Sequence, residues 1–524
     1  MILTFEGATR TVTGSCFVLE TPQGLLMVDR GMYQGNRKLR ERNWADPPCD
    51  MSQVRWLLLT HAHIDHSGLI PRLKRDGFHG EIWATEATTD LCRIMLADSA
   101  HIHEEDAKFE EKRWHKRGCA GPKPRPLYTI ADAEAIMEAF RPVRYDQPVT
   151  LAQGVRCCFR DAGHILGSAI IELWVDNGAR NTKLVFSGDL GQANRPILRD
   201  PTIIEDADLL VLESTYGDRL HEEPTASKER LLGILKRALY AGGHVIIPSF
   251  AVERAQELIY TLNDLVEGGR LRPTPTFIDS PLAVQATEVY RRHRECYDAE
   301  TNERLAHGDD PFQFPGIKLT RSVEESQRIN DIQKPCIIIS ANGMCTAGRI
   351  RHHLRHHIGH SQDVVLFVGY QAEGTLGRKL KEGAEYIQLF GERRRVKAHI
   401  EALDGFSAHA DQQGLLAWLG GFRQKPPALF LVHGEEQSSL TFAQSVATQL
   451  GLSAYVPALG EAVDISDPQA VAAKAREQYA VAAAAAQAPL PTPVPAAVPE
   501  EAEVQGEEDE YGLWEALARE AGEL

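Results

Sequence analysis

No stretch of eighteen or more apolar residues occurs in the 524-residue sequence, so nothing in it reads as a membrane-spanning helix. The opening MILTFEGATRTVTG lacks the basic start, apolar run and small-residue cleavage site of an export signal, and the expectation is a cytoplasmic protein without membrane contact. CxxC pairs are missing too. The nine cysteines (Cys16, Cys49, Cys92, Cys119, Cys157, Cys158, Cys296, Cys336, Cys345) are scattered, which suits buried thiols in a reducing compartment and assigns a metal to none of them. No repeat of fixed period is visible.

A basic excess is also absent. Lys and Arg number 57 against 73 Asp and Glu, a formal charge of −16, whereas phosphate-binding surfaces ordinarily leave a basic footprint. The charge is unevenly spread, however. Between Gln478 and Leu524 ten acids face one base, Arg519, so this segment carries −9 and the rest of the chain only −7.

What is present is the composition of an ordinary folded chain, 43% hydrophobic and 25% charged, long enough for two or three domains. The first 215 residues alternate short apolar strands with turns and helices: ILTFEGA, SCFVLET, LLMVDRG, VRWLLLT, a short helix in LIPRLKRDG, then EIWAT, VRCCFRDAGH, AIIELWV, KLVFSGDL and DLLVLEST. This rhythm implies a layered α/β domain with polar residues delivered at strand ends. Residues 216–397 carry a second α/β rhythm, with HVIIPSF, TFIDS, CIIISA and VVLFVGY as buried strands. Residues 398–465 return to the style of the first, so the middle reads as an insertion. Residues 466–524 are Ala/Pro-rich and then acidic, expected to be disordered apart from a short terminal helix bearing Leu513, Trp514 and Leu517.

Four candidate metal ligands are packed into His61-Ala62-His63-Ile64-Asp65-His66, directly after a strand. Imidazoles with a carboxylate are the ligand set that suits zinc. His164 in DAGHILG and Asp189 in FSGDL follow later strands, each beside a glycine; either alone would read as a turn residue.

In this order the residues resemble the metallo-β-lactamase superfamily, an αββα sandwich. The resemblance implies two Zn2+ per chain: His61, His63 and His164 on one, Asp65 and His66 on the other, and Asp189 between them. Asp29 in LLMVDRG matches a supporting aspartate that orients the ligands by hydrogen bonding. From Glu213 onward LESTYG, PSFAVERAQE, DSPLA, SANGMCTAGR, GYQAEGTLGR, FSAHAD and LVHGE resemble, in order, the β-CASP family, which holds the cleavage-and-polyadenylation endonuclease subunit and its prokaryotic relatives. That likeness implies an α/β fold with an inserted β-CASP domain and a zinc-dependent ribonuclease. Endonuclease action is expected, with 5′-to-3′ exonuclease action as a further mode. Asp65, Glu213 and His409 are its expected catalytic residues, with His409 as proton donor and Glu213 its carboxylate partner. His433 completes the second zinc set and is the family's mark of RNA substrates, where the DNA-repair branch has valine.

Ser340, Arg349 and Arg378, in glycine-rich segments, are candidates for phosphate contact. The run RIRHHLRHH, with His352, His353, His356 and His357, reads as an exposed helix face. The expected partners are single-stranded RNA, a second copy of the chain through the lactamase domain, and a protein docking on the C-terminal tail. Two other readings stand beside the ribonuclease: a small-molecule zinc hydrolase, which needs no domain-sized insertion, and a silent RNA-binding scaffold, against which the intact ligand set counts.

Overall fold

Alternation along single strands sets the architecture. In Val54–Leu58, Trp56 and Leu58 enter one core while Leu57 and the following Leu59 enter another. Leu209–Glu213 and Ala428–Val432 behave likewise, with Leu209, Val211, Phe430 and Val432 on one side and Leu210, Leu212, Leu429 and Leu431 on the other. Strands apolar on both faces must be covered on both.

The computed structural model describes residues 1–117, 122–178, 180–369, 371–372, 374–403 and 405–487. Two seven-stranded sheets supply the inner cover by packing face to face. The first runs Glu461–Asp464, Ile2–Phe5, Phe17–Thr21, Gly24–Val28, Val54–Leu58, Glu81–Thr85, Phe140–Val143 from edge to edge. The second runs Ala454–Tyr455, Ala428–Val432, Leu209–Glu213, Asn181–Phe186, Ala169–Asp176, Val155–Asp161, Val149–Ala152. Phe5 meets Phe430 at 4.8 Å between ring centroids, and Phe17 meets Phe186 at 5.9 Å, so the aromatic core joins the two sheets. Helix Glu86–Arg117 covers the outside of the first sheet, and helices Gln412–Gly420 and Glu436–Leu450 that of the second. This is the αββα sandwich that the sequence led us to expect.

The inserted unit is a six-stranded parallel sheet in the order Ile317–Thr320, Thr276–Asp279, Ile337–Ser340, Val245–Pro248, Val364–Phe367, His399–Ala402. Its helix Pro281–Arg292 packs on Glu86–Arg117 of the sandwich, and one apolar cluster runs through both units. The boundary expected after residue 397 falls one strand early, because His399–Ala402 pairs in parallel with Val364–Phe367.

Three further expectations are revised. The start of the tail at 466 falls too early: helix Pro468–Gln487 runs through the alanine stretch and buries Val471 and Ala475 against the sandwich core. LIPRLKRDG forms a 3₁₀ turn, Ile70–Arg72, rather than an α-helix, since Pro71 and Gly77 leave too few residues for one. His353 and His357 do not lie on an exposed face, for they share the buried side of helix Ile350–His357 with Ile350 and Leu354. The eight described cysteines are free thiols, and all but the half-buried Cys49 are buried. Among the described residues no helix is long and apolar enough to cross a membrane. Cys119 and the tail from residue 488, with Leu513, Trp514 and Leu517, lie outside the described residues.

Candidate active site

The site gathers where strands end. His61 to His66 follow Val54–Leu58, His164 follows Val155–Asp161, Asp189 follows Asn181–Phe186, Glu213 closes its strand, and His433 follows Ala428–Val432. Two sharp backbone positions aim the chain there: Asp29 at φ +60° and His433 at φ +49°, both in the left-handed region that non-glycine residues rarely occupy.

Ligand atoms converge in two groups that share Asp189. His61 Nε2 and His164 Nε2 lie 3.1 and 3.2 Å from His63 Nδ1, and Asp189 Oδ2 lies 3.5 Å from His61 and 3.7 Å from His164. On the other side His66 Nε2 is 3.1 Å from His433 Nε2, with Asp65 Oδ2 3.6 Å from His433 and Asp189 Oδ1 3.4 Å from His66. Donors about 2.0–2.1 Å from a tetrahedral centre lie about 3.3 Å apart. The spacing therefore suits metal binding by these two groups of donors.

A second observation agrees. Both Asp189 oxygens and His164 Nδ1 are buried with no hydrogen-bond partner among the described residues, and a carboxylate left so is costly unless it binds charge. Burial, followed by the neighbouring His66, holds the His61 imidazolium well below its usual range. His63 falls to about 4, chiefly through burial. Both are therefore neutral and ready to ligate at neutral pH. For Asp65, burial opposes ionisation, but the His433 hydrogen bond and the surrounding imidazoles bring its carboxyl down to about 2. His66 differs: against burial, Asp189 and Asp29 raise it well above its usual value.

Asp29 stands behind His66. Its Oδ2 lies 2.7 Å from His66 Nδ1 and accepts from Ser15 Oγ, while Oδ1 accepts from the Thr60 amide and hydroxyl. Glu213 is fully buried; its Oε1 accepts from the Leu190 amide at 2.7 Å, and both oxygens lie 3.2 Å from His409 Nδ1. His409, at 20% side-chain exposure, faces the mouth, with Nε2 3.9 Å from Asp189 Oδ2. Burial disfavours its cation, yet Glu213 and then Asp189 raise its pKa to about 9.

The structure thus brings together Asp29, His61, His63, Asp65, His66, His164, Asp189, Glu213, His409 and His433. Of the candidate phosphate contacts, Ser340 Oγ donates to the Asp279 carbonyl, Arg349 pairs with the Asp279 carboxylate at 2.8 Å, and Arg378 pairs with Glu382. His353 joins the same Asp279, and His357 donates to Asp363, so these histidines serve the insertion's interior. Thr215, whose hydroxyl lies 3.1 Å from His433 Nδ1, and Arg195, which holds the Ser407 carbonyl, carry no signal in the sequence.

Sequence profiles match in three places: the metallo-beta-lactamase superfamily at residues 9–136, the Beta-Casp domain at 255–380 and the Zn-dependent metallo-hydrolase RNA specificity domain at 393–457. The chain is 35% identical over 459 residues to "Ribonuclease TTHA0252" of Thermus thermophilus, an alignment covering 88% of this chain and 99% of that protein. The chain belongs to the β-CASP family. Two other β-CASP relatives, both from Methanocaldococcus jannaschii, are 30% identical to it. An "RNase J-like protein" aligns over 89% of this chain and all of its own length, and "Transcription termination factor FttA" aligns over 87% and 70%. This β-CASP chain is accordingly a metal-dependent hydrolase.

Proposed function

We propose that this β-CASP protein hydrolyses phosphodiester bonds of single-stranded RNA, using two zinc ions held on either side of Asp189. The converging donor atoms around that buried carboxylate carry the reading. His61, His63 and His164 would hold one ion and Asp65, His66 and His433 the other. Bound there, such a pair supplies Lewis acidity toward a phosphoryl oxygen and a water of lowered pKa.

The chain's own residues do the rest. Asp29 fixes the His66 ring so that Nε2 points inward. His409, kept in its cationic form by Glu213 and part-exposed at the cluster, gives a proton from Nε2 to the departing ribose oxygen. RNA as substrate is supported by His433, by the matching RNA specificity profile and by ribonuclease-named relatives.

Zinc-loaded protein is expected to cut an end-labelled single-stranded RNA and to leave its DNA counterpart largely intact. Asp65→Ala should abolish the cuts, and His409→Ala should slow them by about 10²–10⁴-fold. RNA left whole by the wild type, with turnover of a lactam or thioester, would move the assignment to a small-molecule hydrolase.

A further inference from the structure

One guanidinium joins the insertion to the segment that carries the proton donor. Arg195 lies six residues beyond Asp189 in the sandwich and is only 10% exposed. Its Nη1 donates to the Gly405 carbonyl at 2.7 Å, just before the FSAHAD segment that carries His409, and its Nη2 to the Ser407 carbonyl within it at 3.0 Å. The same Nη2 lies 3.0 Å from Oε1 of Glu257, on the insertion's helix Arg254–Glu267 and 7% exposed. Glu257 is held from its other side by Arg254.

Other anchors hold the segment as well: His221 Nε2 meets the His409 carbonyl at 3.1 Å and the His221 amide donates to Asp411. Gln192 and Ala410 donate their amides to the Ala408 and Leu190 carbonyls, and His409 forms an isolated bridge to Gly191. Arg195 adds a link from this segment to the insertion's helix Arg254–Glu267. A planar fork that meets two carbonyls and a carboxylate at once constrains that link, which an ammonium on a flexible stem cannot do.

We propose that Arg195 is a positioning residue for His409, and that Glu257 makes its hold depend on the insertion being docked on the sandwich. The inference rests on the ribonuclease reading, with His409 as proton donor. Docking of the insertion on the sandwich and presentation of the proton donor are then one event.

A substrate with a good leaving group separates positioning from general support of the fold. An RNA ribose oxygen needs a proton as it departs, whereas p-nitrophenolate does not. With the zinc-loaded full chain, Arg195→Ala and Glu257→Gln should lower kcat on RNA by about a hundredfold and about tenfold, with KM unchanged. Turnover of bis(p-nitrophenyl) phosphate should stay within about threefold of the wild type. Arg195→Ala added to His409→Ala should cost nothing more on RNA, since both remove the same step. Equal losses on the two substrates, or additive losses in the double variant, would overturn the inference. Should Arg195→Ala fold poorly, Glu257→Gln and Arg195→Lys carry the same comparison. Wild-type protein that cuts no RNA would instead count against the ribonuclease reading itself.

Discussion

His66 Nδ1 lies 2.7 Å from Asp29 Oδ2, and both side chains are buried. That contact fixes the tautomer of a metal ligand from behind, leaving Nε2 to face Asp189. Asp29→Ala should therefore weaken metal binding by about 10–100-fold, the usual cost of losing such a support. Competition with a chromogenic chelator measures it. Unchanged affinity would show that the histidine holds its orientation without help.

The same contact makes metal uptake pH-dependent. In the metal-free protein His66 is raised well above its usual pKa: burial opposes the cation, but Asp189 and Asp29 more than compensate. The raised value means that the proton stabilises the metal-free fold fully below the unfolded pKa, a benefit lost as pH rises through the folded one. Zinc must displace that proton. Calorimetry in two buffers of different ionisation enthalpy should register about one proton released at neutral pH, and affinity should rise about tenfold per pH unit. Uptake without proton release would contradict the charged His66.

Glu213 sets the basic limb of the rate profile. His409 acts as an acid only while protonated, and burial alone would strip its proton; Glu213 is the largest influence restoring it, toward about 9 in the metal-free site. Glu213→Gln removes the negative charge and so lowers the His409 pKa. The basic limb of kcat should move to lower pH, with metal content intact. A limb that stays put would mean another group donates the proton.

Gly31 controls the placement of Asp65. A Cβ built on it would stand 1.6 Å from the Asp65 carbonyl oxygen and 2.8 Å from the Ser15 amide, both backbone atoms that cannot swing aside. Gly31→Ala should displace the ligand loop. The expected result is a protein that binds less than its full metal complement and melts earlier, as metal analysis and thermal unfolding would report.

Much of this site was legible in the sequence because the chemistry is local. HAHIDH puts four ligands within six residues after an evident strand, and Asp189, Glu213 and His433 each stand at the end of an apolar run. Residues whose role depends on distant partners were not legible. Arg195 looks like any loop arginine until the fold brings Gly405, Ser407 and Glu257 to it. Polarity misled the reading of His353 and His357. They lie on the buried stripe of Ile350 and Leu354, and only the unseen carboxylates of Asp279 and Asp363 make an imidazole tolerable there. The alanine-rich start of the tail misled in another way, since alanine signals little burial yet favours the helix Pro468–Gln487 that docks Val471 and Ala475.

The most direct measurement is a zinc titration of metal-depleted protein against end-labelled RNA, run beside Asp189→Ala. RNA cutting should be absent without metal, rise with zinc to a plateau in the wild type, and stay absent in Asp189→Ala at every zinc concentration. Cutting by the metal-depleted protein, or by Asp189→Ala at the wild-type rate, would contradict a ribonuclease built on that shared carboxylate.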